Sequence, residues 1–237
     1  MIRLIIFDMD NVIENNEFFR KNVVRICVST AVKSAIFRNK RNAITEVKKL
    51  HNFFVKNFGE FPYEYHLLFW KDLIIKGCGN FSLKKLNEVY NEFINEYLRN
   101  VKPYSDVIPV LSKLKGKYRL GIIANGNTYR CYRFLEHYHI YDFFDIIVTS
   151  NEAGFKKPEP FLFKYVLEKV NCKPHEALMI GDRCDVDVKG AKALGIYTVR
   201  IKRGRYENQA PLNKDEIPDF EIRTLYELLN LPIIRSK

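Results

Sequence analysis

The apolar positions of this chain follow two different rhythms. Residues 2–7 (IRLIIF) are a short run rich in β-branched residues that Asp8 stops, the pattern of a buried parallel strand running into a polar loop. Runs of this kind return only late, at 119–124 (RLGIIA), 145–149 (DIIVT), 177–181 (ALMIG) and 196–201 (IYTVRI). Stretches with helical spacing, 128–140, 159–171 and 186–194, lie between them. Strands alternating with helices predict an α/β fold on a doubly wound parallel sheet. The segment 203–218 is polar and contains proline, which predicts a loop before a strand-like Phe220–Ile222 and an amphipathic Leu225–Leu229.

The alternation breaks once, between the first strand and the second. There, stretches 17–37, 42–57, 62–76 and 83–99 carry apolar residues three and four apart, for example Leu67, Leu68, Lys71, Ile74 and Ile75. This predicts four helices packed as a small bundle, with Phe53, Phe54, Phe58, Phe61 and Trp70 in its core. Gly77 and Gly79 mark a turn, and Pro103 returns the chain to the sheet. The expected organisation is a core domain of residues 1–14 and 101–237 with a helical domain, 15–100, inserted in it.

Composition narrows the class. In 237 residues, 47% hydrophobic and 28% charged are ordinary globular values, which exclude wholesale disorder and coiled-coil character. The net charge of +11 favours anionic partners without choosing among them. Within 20–56, ten Lys and Arg face a single acidic residue, Glu46; a solvated helical face accounts for them, and a field drawing in small anions is the alternative. No Cys/His finger or RNP-like aromatic pattern is present, so nucleic acid is not expected as a partner. The five cysteines are odd in number and lack a C-x-x-C pair, which argues against a disulfide framework or a structural zinc site. No apolar run approaches the ~20 residues of a membrane span; the expectation is a soluble, cytoplasmic protein.

Four clusters could carry chemistry, each with an ordinary explanation beside it. Asp8 and Asp10, two residues apart after the first strand, suit a nucleophile or metal ligand with an acid/base, or form an acidic turn. Asp182, Asp185 and Asp187 would repel one another in a dry loop, so a hard cation such as Mg²⁺ explains the clustering; a solvated acidic loop is the alternative. Lys157 precedes Pro158, which restricts its backbone and can aim the side chain at an anion; a surface lysine is the plainer reading. Asn125 and Gly126, at the end of the second strand, offer an amide and backbone N–H groups to phosphate oxygens, or simply make a turn.

Taken in order, LIIFDMDNV, GIIANGN, GFKKPEP and MIGDRCDVDVKGAKALG resemble the four motifs of the haloacid dehalogenase-like hydrolases, over nearly the whole chain. The resemblance implies a Rossmann-like core and a helical cap inserted between the first two motifs. It implies that Asp8 attacks phosphorus to form an aspartyl phosphate and that Asp10 protonates the leaving alcohol and then activates water. Lys157 would steady the negative charge, and Mg²⁺ would be held by Asp8, the main-chain carbonyl of Asp10, Asp182 and Asp187. The implied substrate is a small phosphorylated metabolite. Asp10 favours phosphate esters over the dehalogenases, which usually carry Tyr there, and leaves a phosphomutase possible.

Two positions depart from the motif. Ala124 replaces the usual Ser or Thr that holds a phosphoryl oxygen, a loss on the order of 2–4 kcal/mol by analogy with oxyanion-hole donors, unless Asn125, the backbone or Thr128 substitutes. Asn11 replaces a common Gly, a milder change because asparagine tolerates left-handed backbone geometry. Ala124 and the charge keep a second function open: a catalytically weakened scaffold that binds a phosphorylated ligand or an anionic partner. Cys184, His137 and His139 are expected to be bystanders.

Overall fold

The computed structural model describes residues 1–58 and 66–235. The chain forms two compact units, Met1–Asn16 with Lys102–Lys237, and Glu17–Val101. The first unit contains β1 (Leu4–Phe7) and β2 (Glu14–Asn15), and the second contains α1 (Glu17–Lys33), α2 (Lys40–Phe58), α3 (His66–Cys78) and α4 (Leu83–Asn100). The first unit resumes with β3 (Lys102–Pro103), α5 (Val107–Leu114), β4 (Arg119–Ala124), α6 (Thr128–His137), β5 (Ile146–Thr149), α7 (Ser150–Ala153), α8 (Pro160–Lys169) and β6 (Ala177–Gly181). A π-helical turn over Cys184–Val188, α9 (Lys189–Lys192), β7 (Tyr197–Ile201), β8 (Phe220–Ile222) and α10 (Leu225–Leu228) follow.

Six strands form one sheet in the order β5-β4-β1-β6-β7-β8, and every neighbouring pair is parallel. The doubly wound α/β expectation is borne out. All four residues of β1 are fully buried, because a central parallel strand is covered on both faces and cannot alternate. Phe7 lies opposite Ile122 on β4 and Ile180 on β6. The ladder runs one residue further, where Asp8 N–H donates to the Ile180 carbonyl at 2.9 Å, so the loop after β1 leaves from a fixed point. Strand order reverses at β1, and the loops after β1, β4 and β6 therefore converge at one end of the sheet.

Sequence periodicity gave no sign of the antiparallel ribbon in which Glu14 and Asn15 pair with Pro103 and Lys102. Two residues per strand are too few to show a period. Helix ends also differ from the periodicity. Ala35 (φ +50), His139 (φ +54) and Asn171 (φ +49) adopt left-handed geometry, which closes α1, α6 and α8 two to four residues before the apolar spacing runs out. Within 186–194 the backbone is a π-helical turn followed by the short α9, not one helix.

In the helical unit, α1 packs against α2 and α4, and α3 packs against the same two. Its centre is aromatic: Trp70 meets Phe69 at 5.1 Å and Phe93 at 5.4 Å between ring centroids, and Phe19 meets Tyr97 at 4.9 Å. The phase of α3 differs from expectation. Phe69, Trp70, Leu73 and Ile74 are fully buried, whereas Leu67, Leu68 and Ile75 are exposed. An apolar band wider than one face allows either phase, and the two largest rings take the interior. Phe54 is buried as expected and Phe53 is exposed; Phe61, the Phe58 side chain and the first residues of the expected 62–76 helix lie outside the described residues. The basic stretch is partly neutralised: Lys21 pairs with Glu17, Lys33 with Glu92 and Glu96, and Lys49 with Glu46. No helix of the described residues is long and apolar enough to cross a membrane.

Gly77 does not mark the turn; it lies inside α3, and Gly79 (φ +78) follows the helix end. A Cβ on Gly77 would stand 2.4 Å from the Ile36 carbonyl oxygen, so glycine is there for close approach, not flexibility. Gly77→Ala is expected to destabilise the helical unit by about 1–3 kcal/mol through overpacking, measured by urea unfolding; an unchanged midpoint would show that Ile36 yields freely.

Candidate active site

The loop after β1, the segment between α7 and α8, and the loop and turn after β6 bring four charged side chains into the interior. The Lys157 ammonium donates to Asp8 Oδ1 at 2.5 Å and to Asp187 Oδ1 at 2.7 Å. Asp182 is buried beside them, and Asp8, Asp182 and Asp187 each present a carboxylate oxygen such that the three lie within 4.8 Å of one another. Two of these buried carboxylates, Asp8 and Asp187, share the buried Lys157 ammonium, and the third, Asp182, lies beside them.

Local backbone features hold each member. Asn125, at the end of β4, accepts from Lys157 N–H through Oδ1 at 2.8 Å and donates through Nδ2 to the Lys157 carbonyl at 2.9 Å. This two-point clasp imitates a strand pairing and fixes the lysine backbone. Asp187 reaches back from the π-helical turn over the end of β6, where a Cβ on Gly181 would lie 2.2 Å from its own Cβ; its Oδ2 accepts from Arg183 N–H at 3.1 Å. Asn11 is left-handed at φ +58, and its amide donates to Asp182 Oδ2 at 2.7 Å. Arg203 secures that turn by donating to the Asn11 carbonyl at 2.9 Å and to the Val12 carbonyl, and it is paired with Asp106 at 2.7 Å.

Electrostatics follow from burial. Desolvation pushes the Asp8 carboxyl up to about 7; Lys157 opposes this, and the neighbouring Asp187 and Asp10 add to it. Asp182 is likewise raised well above the ordinary carboxylate value by desolvation, then by Asp8 and Asp187, against the Asn11 hydrogen bond. For Lys157, burial alone would lower the ammonium, but Asp187 and Asp8 outweigh it and hold it above its usual value.

Asp10 stands apart from the three-carboxylate group. Its Oδ1 accepts from Asn16 Nδ2 at 2.7 Å and lies 3.5 Å from Arg130 Nη1, while Arg130 pairs with the fully buried Glu14 at 2.8 Å. Among the expected phosphate donors, the Asn125 side chain is engaged with Lys157 on both its oxygen and its nitrogen, and the Gly126 N–H donates to Ser150 Oγ at 2.9 Å. The Thr128 hydroxyl is 2.6 Å from that of Thr149. These groups organise the loops after β4 and β5, a role that turn chemistry alone does not reveal. Cys184 is buried, with its thiol raised by desolvation, and is not a reactive thiolate.

Asn16, Glu14, Arg130 and Arg203 were not singled out from the sequence. Arg130 had a detectable signal: it shares the core-facing side of α6 with Cys131, Phe134 and Leu135, and a charge at such a position needs a buried partner. Arg203 and Asp106 had none, since their pairing spans loops far apart in the chain.

The donor set suits a hard divalent cation. Oxygen ligands only, three carboxylates against one ammonium, and no competing His or Cys favour Mg²⁺-type chemistry over zinc. A parallel α/β core with acidic loops converging at its topological switch point and a lysine bridging two buried carboxylates is the arrangement of a hydrolase of the phosphoryl-transfer or dehalogenase kind. The family model described as haloacid dehalogenase-like hydrolase matches residues 5–201, and the chain belongs to that family. Over 98% of this chain and 97% of theirs, it is 32% identical to a glyceraldehyde 3-phosphate phosphatase of Methanopyrus kandleri and 33% identical to one of Methanocaldococcus jannaschii. Among solved structures, a HAD phosphatase from Thermococcus onnurineus superposes with a TM-score of 0.71 at 27% identity, covering 97% of each chain.

A carboxyl raised in the folded state stabilises the fold below its unfolded value near 4 and loses that contribution as pH rises through about 7. Metal-free protein is therefore expected to melt at lower temperature at pH 8 than at pH 5, with a millimolar divalent cation reversing the loss at pH 8. A melting temperature insensitive to cation at pH 8 would contradict this reading of the cluster.

Proposed function

We propose that the protein is a Mg²⁺-dependent phosphatase of small phosphorylated metabolites that works through an aspartyl phosphate on Asp8. The observation that carries the proposal is the Lys157 ammonium set between Asp8 and Asp187, with Asp182 completing an oxygen cradle. Two anions, a carboxylate and a phosphate, must meet for this reaction, and only concentrated positive charge makes the encounter favourable.

Asp8 attacks phosphorus from the end of β1, where the strand ladder and Lys157 hold it in place. As the bond from Asp8 oxygen to phosphorus forms, the bond from phosphorus to the alcohol oxygen breaks, and Asp10 gives its proton to the departing alcohol. Asp10 then takes a proton from a water that attacks the acyl phosphate, freeing Asp8 and inorganic phosphate. Lys157 screens Asp8 throughout, which is why its ammonium is held against deprotonation. Bound Mg²⁺, held by Asp8, Asp182, Asp187 and the Asp10 main-chain carbonyl, would supply the remaining neutralisation as a Lewis acid. The helical unit is the cap in this reading and selects the substrate. The names of the full-length relatives make glyceraldehyde 3-phosphate the first substrate to examine. A cytoplasmic setting suits such a metabolite.

Purified protein with Mg²⁺ is expected to release phosphate from p-nitrophenyl phosphate and faster from glyceraldehyde 3-phosphate, with EDTA abolishing both. Asp8→Asn, which removes the nucleophile, should lower kcat at least ~100-fold, about 2.7 kcal/mol in barrier, with folding intact by circular dichroism. Folded wild-type protein that binds Mg²⁺ yet turns over no member of a broad phosphate-ester panel would favour the weakened scaffold. Transfer to a second hydroxyl of the substrate, with no phosphate released, would favour a phosphomutase.

Mg²⁺ affinity should itself depend on pH, because the cation must displace the proton that burial retains on Asp8. Calorimetric titrations are expected to show tighter binding at pH 8 than at pH 6, with heats that vary with buffer as protons are released. Buffer-independent heats and a constant Kd would overturn that expectation.

A further inference from the structure

The acid/base Asp10 sits within a buried polar arrangement that the motif does not contain. Its side chain keeps 30% of its surface exposed, so packing alone leaves its orientation open. Two donors close in on one oxygen: Asn16 Nδ2 at 2.7 Å and Arg130 Nη1 at 3.5 Å, both toward Oδ1. With an amide and a guanidinium both on Oδ1, the carboxyl plane is fixed and Oδ2 is the oxygen left to face a substrate.

The donors are themselves anchored. Arg130 is 1% exposed and bonds to Glu14, which has no exposed surface. Its backbone N–H donates at 2.9 Å to Asn127, the N-cap of α6. Glu14 lies in β2, hydrogen-bonded into the ribbon with β3, and Asn16 follows that strand, buried at 2%. Asp10 is thus gripped from α6 and from the ribbon at once. A buried ion pair such as Glu14–Arg130 is poor value for stability alone, since its desolvation offsets much of its attraction.

We infer that Arg130 and Asn16 are positioning residues for Asp10: with Glu14 as their anchor, they fix which carboxyl oxygen presents the proton to a departing alcohol. The inference rests on the phosphatase reading and adds to it a determinant of leaving-group range. Alkyl phosphates, whose alkoxide leaves poorly, need that proton in the transition state. Aryl phosphates such as p-nitrophenyl phosphate, whose phenolate leaves unaided, do not.

The test compares kcat/KM for an alkyl ester, glycerol 3-phosphate, with that for p-nitrophenyl phosphate, in wild type, Asn16→Ala, Arg130→Lys and Arg130→Met, all with Mg²⁺. This parameter reports the steps up to phosphorylation of Asp8, so slower hydrolysis of the acyl phosphate does not enter it. The alkyl-to-aryl ratio is expected to fall about tenfold in Asn16→Ala and further in Arg130→Met, with Arg130→Lys recovering part of it, while Mg²⁺ affinity stays as in wild type. Should Arg130→Met fail to fold, judged by thermal unfolding, Asn16→Ala and Arg130→Lys carry the comparison. Equal losses on both esters, leaving the ratio unchanged in folded variants, would overturn the inference and leave the phosphatase reading intact. A wild type inactive on both esters would instead remove that reading, and this inference with it.

Discussion

Everything at the end of this sheet depends on one imbalance: three carboxylates buried around a single ammonium. Lys157 touches Asp8 and Asp187, and Asp182 completes the group. In a medium of low dielectric, neighbouring anions cannot all stay ionised without compensation. The fold answers this in part with Lys157 and in part by letting protons remain where burial has raised Asp8 and Asp182. A bound divalent cation would supply the remaining compensation. On the proposed function, the same charge deficit that burdens the metal-free fold would draw Mg²⁺ to the site, linking stability and chemistry through one set of side chains.

Such a group forms only if its members arrive with little freedom. The reversal of strand order at β1 brings three loops together, but convergence alone is coarse. Finer control comes from small devices: the Asn125 clasp on the Lys157 backbone, the missing Cβ at Gly181 where Asp187 folds over, and the left-handed turn at Asn11 that delivers an amide to Asp182. Each fixes a charged side chain through a neighbour's hydrogen bond or close approach, as outer contacts do around metal sites in general. Arg203 and Asp106 carry the constraint outward to the start of α5 and the loop after β7.

What the sequence disclosed and what it withheld divide along the same line. Fully buried strands such as Leu4–Phe7 announce themselves as unbroken apolar runs, and the acidic residues that follow them mark where the strands end in loops. That made the sheet, the inserted helices and the four motif clusters readable. The phase of α3 was not, because both faces carry apolar residues and only packing chose Phe69 and Trp70 over Leu67 and Leu68. Nor was the engagement of Asn125, Thr128 and Gly126, since an asparagine–glycine turn looks the same whether it faces a ligand or a neighbouring loop. The contacts that matter most there join residues more than twenty positions apart, beyond the reach of any local pattern.

Ala124 is the residue on which the weakened-scaffold reading turns, and the physics around it argues for an enzyme. A chain with no catalytic use for its acidic group would gain stability by exchanging Asp8, Asp182 or Asp187 for apolar or neutral side chains, because desolvation penalises each of them. Instead all three are present, close together, with a lysine clasped at its backbone and bridged at its tip. Loss of one hydroxyl at the end of β4 removes a single hydrogen bond to a phosphoryl oxygen. Loss of the charge cluster would remove the means by which two anions meet. On the proposed mechanism the larger of these terms is intact, so the smaller one would set how fast the protein works rather than whether it does.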